Sequence, residues 1–477
     1  MAADRGGGSL EEMQLPDGIV AVVKRDCPTC RLVAPVLEAL AATVISEDDD
    51  TGLETSYRNG IITVPTLLRV EGGRETARIE GWSRPQWEAF TRVEGLGPDL
   101  PEHRPGCGAR AVDPATAREL AVRFGAARLR SRRVELAEQE DEAEACFDRG
   151  WSDGLPVVPP TEGRVLAMLD GTPRPPDEVV AVVPPDLVEC TVEKVAVNAV
   201  LAGCKPEYLP VVLTAVEAAC TQEFNAHGLL ATTYFSGPVV IVNGPITRAI
   251  GMNSGVNALG QGNRANATIG RALQLVIRNV GGGKPGGVDR ATLGNPGKYA
   301  FCFAEHEEDH PWEPLHVSRG LRREDSAVTL IASNSLYQVY NQLAAAPEPL
   351  LLCFADALGN MGSPNLKGFN QTLIVFAGEH ADILKAAGWS RADVQRFLVE
   401  HTRRRLADYK RAARIPGAVT AADETTWRHI FERPDDILIA CAGGRAGSWS
   451  ACLPGWGNKW TRSITTRIDD SCLGRQA

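Results

Sequence analysis

A mixed α/β architecture in two domains is what the chain predicts, and three features carry that expectation. Near the N-terminus, a Cys-x-x-Cys pair stands where an apolar strand runs into an amphipathic helix. From residue 151 to 477, short apolar runs alternate with helical stretches, the pattern of an α/β domain with helices on both faces of a mixed sheet. Between them, residues 96–150 are rich in proline, glycine and charge. Length agrees, since 477 residues suffice for two or three separate cores. The net charge of -10 argues against a nucleic-acid partner. The basic run Arg128–Arg133 sits beside acidic Glu138–Glu144 and reads as a solvated helix face. No apolar run approaches membrane-spanning length, so no membrane partner is expected. Residues 1–14 read as a flexible tail without a secretory signal. Twelve scattered cysteines suit reduced thiols in a cytoplasm.

The first domain, residues 15–95, opens with Ile19–Val23, an apolar run expected as a buried strand. Leu32, Val33, Val36, Leu37 and Leu40 then share one helical face. This places Cys27 at or just before the first helical turn, where partial positive charge and unpaired N–H groups stabilise a thiolate. Lys24 and Arg25 add cationic charge, partly offset by Asp26. Cys27 is therefore the expected nucleophile, acidic and reachable from solvent, and Cys30 the thiol that resolves its mixed disulfide. The competing reading, half of a zinc site, lacks a second Cys-x-x-Cys or a nearby histidine pair. Glu71-Gly72-Gly73-Arg74 reads as a hairpin turn, and Ser83 with Gln86 as a capping box for a helix through Trp87 and Phe90.

These motifs, in this order, resemble the thioredoxin family. Pro35 falls five residues after Cys30, where that family kinks its helix, and Val64-Pro65-Thr66 resembles its cis-proline loop. The resemblance implies a thioredoxin fold and a redox-active Cys27–Cys30 disulfide with no other cofactor required. It also implies that Pro65 shapes the docking surface and that an upstream thiol reductant is a partner. Two departures stand out: Ala21 occupies a position where many thioredoxins bury an acid, and no tryptophan precedes Cys27.

Residues 96–150 are expected as a connector and a long charged bridging helix to about Cys146, with Asp113-Pro114 as its N-cap and first residue and Gly125 as a point where it can break in two. In residues 151–477, Thr191 caps a helix ended by Gly203, Pro206 starts another reaching Cys220, and Asn263 caps one reaching Gly281. Pro238–Asn243, Ala327–Ala332, Leu350–Phe354, Leu373–Phe376 and Asp436–Cys441 read as strands. No repeat of fixed period is evident.

The loop Asn253–Asn266 leads into a helix N-terminus, and its glycines let backbone N–H groups approach an anion. Asn253, Ser254, Asn257, Asn263, Arg264 and Asn266 are the candidate contacts for a small anionic substrate. A turn-rich loop held by its own asparagines is the plain alternative. Arg271 and Arg278 continue the stripe of Arg264 and read as solvated. His227, in a Gly-containing turn, is a candidate acid or base. His306-Glu307-Glu308-Asp309-His310 matches HExxH, but acidic flanks and Pro311 oppose the helix that a zinc protease needs. Whether these histidines and His316 hold a metal is left open, and no metal is assigned. Cys107, Cys204 and Cys441 are candidate partners of the Cys27–Cys30 pair, Cys107 foremost because flanking glycines expose its sulfur.

Asp153–Pro160, Asn253–Gly270, Pro311–His316 and Ala442–Gly444 together resemble the UGSC-like (seleno)protein family, a bacterial group. The similarity covers about residues 100–470, with Cys107-Gly108-Ala109 nearest the family's name motif. It implies thiol or selenol redox chemistry on a small electrophile. The expected function is a thiol-disulfide oxidoreductase acting on a small-molecule or thiol substrate, including a cysteine of the second domain. One alternative is a thiol-assisted lyase or detoxifying enzyme (organometal or C–S cleavage) regenerated by the first domain. Another is a non-catalytic metal-binding or sensing protein. Association into a homo-oligomer is left open.

Overall fold

The computed structural model describes residues 13–124, 129–137, 139–308, 311–361, 371–456 and 461–469. The chain divides into two compact units, Met1–Leu129 and Arg130–Ala477.

In the first unit, Gly18–Val23 (β1) leads through Cys27 into Pro28–Ala39 (α1), then Thr43–Ser46 (β2) and Asp50–Arg58 (α2). Thr63–Val64 (β3), Thr66–Glu71 (β4), Arg74–Glu80 (β5), Trp82–Ser83 (β6) and Arg84–Thr91 (α3) follow. His103–Arg104 (β7), Cys107–Gly108 (β8) and Pro114–Arg123 (α4) complete it. The main sheet runs β2-β1-β4-β5, parallel between β1 and β2 and antiparallel elsewhere, as a thioredoxin fold requires. The apolar face of α1 puts Val33, Val36 and Leu37 against Ala21, Leu67, Trp82 and Trp87. Each such aliphatic contributes about 1.5–3 kcal/mol when fully buried. The β4–β5 turn needs positive φ at both central residues, supplied by Gly72 (63°) and Gly73 (79°). Ser83 departs from expectation: it sits at the N-cap of α3 but makes no side-chain cap bond. It is held instead in a β6–β7 ladder opposite His103.

Residues 96–112, expected as connector, are folded into this unit. β7 pairs with β6 and β8 with β3, and the buried Glu47 carboxylate accepts the Arg110 and Ala111 N–H groups at 2.8 and 3.3 Å. The long bridging helix does not form as one piece, because α4 ends at Arg123 and residues 129–137 are not helical.

The second unit begins with Glu142–Asp148 (α5), Glu162–Leu169 (α6), Val179–Val183 (β9) and Val188–Thr191 (β10). Val192–Ala202 (α7), Leu209–Ala219 (α8), Ala226–Ala231 (α9), Gly237–Asn243 (β11), Ile246–Ala249 (α10) and Arg264–Asn279 (α11) follow. Next come Cys302–Ala304 (β12), Leu315–Ser318 (α12), Ala327–Ser333 (β13), Tyr337–Tyr340 (β14), Pro347–Met361 (α13) and Thr372–Phe376 (β15). Gly378–Ala386 (α14), Arg391–His401 (α15), Arg403–Arg405 (β16), Leu406–Arg411 (α16) and Trp427–His429 (β17) precede Ile437–Cys441 (β18), Trp449–Pro454 (β19) and Ile464–Arg467 (β20).

Two four-stranded mixed sheets, rather than one, form its centre: β12-β11-β13-β20 and β14-β19-β15-β18. In each, a first strand gains a parallel neighbour through a helical crossover and an antiparallel neighbour on its other side: β11, β12, β13 and β15, β18, β19. The next strand then crosses to the opposite sheet, β14 pairing with β19 and β20 with β13. This is a repeat of topology with exchanged edge strands. Unequal connections hide it from any search for a fixed sequence period. Strand alternation stacks the sheets: Leu373 and Val375 meet Val239 and Ile241 between them, while Ile374 and Phe376 face the helices α13, α14 and α15. The mixed α/β class therefore holds, with helices on the outer face of each sheet. One expected strand is corrected, since Leu350–Phe354 lies inside α13. Leu350, Leu351, Phe354 and Leu358 recur at helical spacing on one buried face, and Pro347 suits a helix start.

Candidate active site

Cys27 is the N-cap of α1, with Pro28 at the first helical position. Its sulfur accepts the Cys30 N–H at 3.2 Å and lies 3.5 Å from the Val64 carbonyl, beside the cis Val64-Pro65 bond. The two cysteines approach within 3.0 Å. A third sulfur lies beside them: Cys107 packs against the cluster that holds Cys27, Cys30 and Val64, from β8, the short strand laid antiparallel along the cis-proline loop with Cys107 opposite Val64.

The electrostatics favour charge on one of the three. Burial alone would raise the Cys27 thiol, but hydrogen bonds from the Cys30 thiol and N–H, the Cys107 thiol and the Thr29 N–H outweigh it. Cys27 is thus held below the ordinary thiol value. Cys30 is pushed well up by burial, then by its hydrogen bond to Cys27 and by the Cys27 charge. Cys107 is raised by the hydrogen bond it gives Cys27, then by burial. The acidity expected of Cys27 is met mainly by these donors. Lys24, expected to support the thiolate directly, gives its ammonium to the Gly108 carbonyl at 2.7 Å.

Accessibility differs from expectation. Cys27 has 0% of its surface exposed and Cys30 6%, whereas Cys107 is only half-buried. The segment around β8 covers them, pinned by Lys24 and by the Thr29 hydroxyl on the Pro105 carbonyl at 2.8 Å. The approach demands glycine at 106, since a Cβ there would stand 2.4 Å from Thr63 Cγ2 and 2.8 Å from the Val64 oxygen. Thr29 and Glu47 escaped the sequence reading, and Gly106 was read as exposing the Cys107 sulfur rather than as permitting this close approach.

The second unit gathers a different set of residues at the carboxyl ends of β11, β12 and β18. Ser254 Oγ lies 3.3 Å from His306 Nδ1, the Ser254 carbonyl accepts the Gly443 N–H, and the His306 N–H reaches the Cys441 carbonyl. Buried Glu305 accepts from Asn243, Leu315 and Cys441. His316 is fully buried with both ring nitrogens unpartnered among the described residues, and Glu307 stands 4.0 Å away. Residues 305–308 are not helical, and His310 lies outside the described residues. Among the described residues, no group of three or more His, Cys, Asp or Glu is arranged to hold a metal ion.

The asparagines of the 253–266 loop bond to the loop itself. Asn266 bridges Asn253 and Ala258, Asn253 reaches Gly255 and Val256, Asn257 reaches Gln261, and Asn263 caps α11 and binds Gly251. Arg264 Nε donates to the Gly203 carbonyl. His227 is exposed on α9, whose N-cap Asn225 is tied to Thr461. Arg271, read as solvated, is corrected: it forms a half-buried bidentate pair with Asp153 at 2.7 and 2.8 Å and also binds the Leu155 and Pro156 carbonyls. Cys204 and Cys441 are buried, and burial pushes both thiols up, Cys204 to about 12.

Comparison with known proteins agrees with the first unit. The chain is 37% identical over 62 residues to thioredoxin of Alicyclobacillus acidocaldarius, covering 12% of this chain and 59% of that protein. It is 38% identical over 61 residues to thioredoxin of Mycobacterium tuberculosis, covering 12% and 53%. The corresponding figure for thioredoxin of Chlamydia muridarum is 35% over 60 residues, covering 12% and 59%. Some 60 residues toward the N-terminus, 12% of the chain, are similar to these thioredoxins. The chain spans a little over half the length of the curated relatives it matches. No family model matches the chain. Among the described residues, no helix is long and apolar enough to cross a membrane.

Proposed function

We propose that the protein is a thiol-disulfide oxidoreductase whose redox group is the Cys27–Cys30 pair, with no other cofactor required. The observation that carries this reading is the placement of a buried Cys27 sulfur at the N-cap of α1, where it accepts the Cys30 N–H at 3.2 Å beside the cis Val64-Pro65 bond. The Cys27 thiolate attacks one sulfur of a substrate disulfide, and the released thiolate takes up a proton. Once Cys27 is part of a mixed disulfide, its charge no longer opposes ionisation of Cys30. Cys30 then attacks the Cys27 sulfur and expels the second thiol. The dithiol loses two electrons and the substrate disulfide gains them; an upstream thiol reductant restores the pair at the cost of two thiols.

The substrate class is a small disulfide or electrophile, or a thiol partner. Cys204 and Cys441 are weaker acceptors, since their thiols are buried and stay protonated. Scattered cysteines and a lack of long apolar runs support a reducing cytoplasm as the setting. Reduction of glutathione disulfide by the full chain, coupled to a thiol reductant, tests the proposal. Cys27→Ser is expected to fall to the uncatalysed background. Turnover unchanged in Cys27→Ser would overturn it.

A further inference from the structure

We propose that Cys107 is a third redox thiol, through which the buried Cys27 exchanges disulfides with the solvent. The inference rests on the dithiol reading above and adds a route into the site. Three observations carry it. β8 occupies the edge beside Pro65, opposite Val64, and packs Cys107 against the cluster that holds Cys27 and Cys30. Of the three sulfurs, Cys107 alone is half-buried, while Cys27 has no exposed surface. The strand is built into the fold rather than draped over it. Lys24, Thr29 and Glu47 each bind the 105–111 backbone, and Gly106 permits an approach that no Cβ would.

In the oxidised protein, the Cys107 thiolate attacks the Cys27 sulfur of the Cys27–Cys30 disulfide. The Cys27–Cys107 bond forms, the Cys27–Cys30 bond breaks, and Cys30 leaves as a thiolate that takes the proton Cys107 lost. No net electrons move, so no oxidant is needed for this exchange. Reduction follows when a small external thiol attacks the Cys107 sulfur, forming a mixed disulfide there and releasing the Cys27 thiolate. A second thiol then frees Cys107 and leaves as the external disulfide. The strand is in effect a substrate segment that the chain carries itself.

The test uses the full chain. Cys30→Ser is incubated with glutathione disulfide, quenched in acid and mapped by mass spectrometry without reduction. The expected product is a Cys27–Cys107 linkage in most molecules, with two equivalents of glutathione released per disulfide consumed. Glutathione held on Cys27 with Cys107 free to alkylate would overturn the proposal. Cys107→Ser keeps the β3–β8 backbone ladder and supplies the kinetic arm. Reduction of its Cys27–Cys30 disulfide by glutathione is expected to slow by about tenfold or more relative to wild type, because the attacked sulfur is then shielded. An unchanged or faster rate would overturn the relay. Wild type that forms no disulfide at Cys27 under the same oxidant would instead refute the dithiol reading itself.

Discussion

Cys27 in the first unit and Cys441 in the second are the same residue type in comparable burial, at 0% and 5% exposure, yet their thiols shift in opposite directions. Burial opposes ionisation of both. Cys27 caps a helix and receives N–H and S–H donors, whereas Cys441 ends a strand and stands beside the Glu305 carboxylate. Donor convergence, rather than depth, decides which sulfur can work as a thiolate. The wider contrast between the units follows the same line. In the first, polar groups converge on an atom that can change its charge. In the second, the asparagines of the 253–266 loop bond to carbonyls of the loop's own backbone.

The contrast can be broken most forcefully at Cys27, where Ser should abolish turnover while Cys441→Ser leaves it at the wild-type rate; equal losses would erase the distinction. Arg271→Ala probes the other side. Removing the cation leaves the half-buried Asp153 without its ion-pair partner, so the second unit should lose about 1–3 kcal/mol of stability in denaturant unfolding. Disulfide exchange by the folded protein should be unaltered. The pair also sets a pH dependence. Burial would raise the Asp153 carboxyl, but Arg271 overrides it and holds it low, below the ~3.9 of an unfolded chain. The stabilisation from Asp153 is therefore complete above that value and is lost as pH falls through the lower folded one. A loss under about 1 kcal/mol for Arg271→Ala would mean the pair is a solvated one. A smaller effect is expected from Gly106→Val, which should lift β8 from the cis-proline loop. Alkylation of Cys27 should then speed up by about tenfold at neutral pH; a rate equal to wild type would show that β8 does not cover the sulfur.

Much of the first unit was legible in the sequence because local chemistry and tertiary packing agree there. The apolar run Ile19–Val23, the helical face of Val33, Val36 and Leu37, and the Gly72-Gly73 turn each have one physical solution. Cys107 was legible as a glycine-flanked thiol, but its pairing with β3 joins residues more than forty positions apart, which no local pattern encodes. Burial of Cys27 was missed for that reason. In the second unit, Leu350–Phe354 was too short an apolar run to separate strand from buried helix. The charge at Arg271 looked solvated because its partner, Asp153, lies far away along the chain. The exchanged strands β14 and β20 escaped notice because their partners lie in the other sheet.

The most direct test of the central claim is the ionisation of Cys27 itself, followed by the ultraviolet absorbance of its thiolate in wild type against Cys27→Ser across the pH range. The hydrogen bonds from Cys30, Cys107 and Thr29 require the difference signal to reach its midpoint below the ~8.5 of a free cysteine. A midpoint at or above that value would contradict the account.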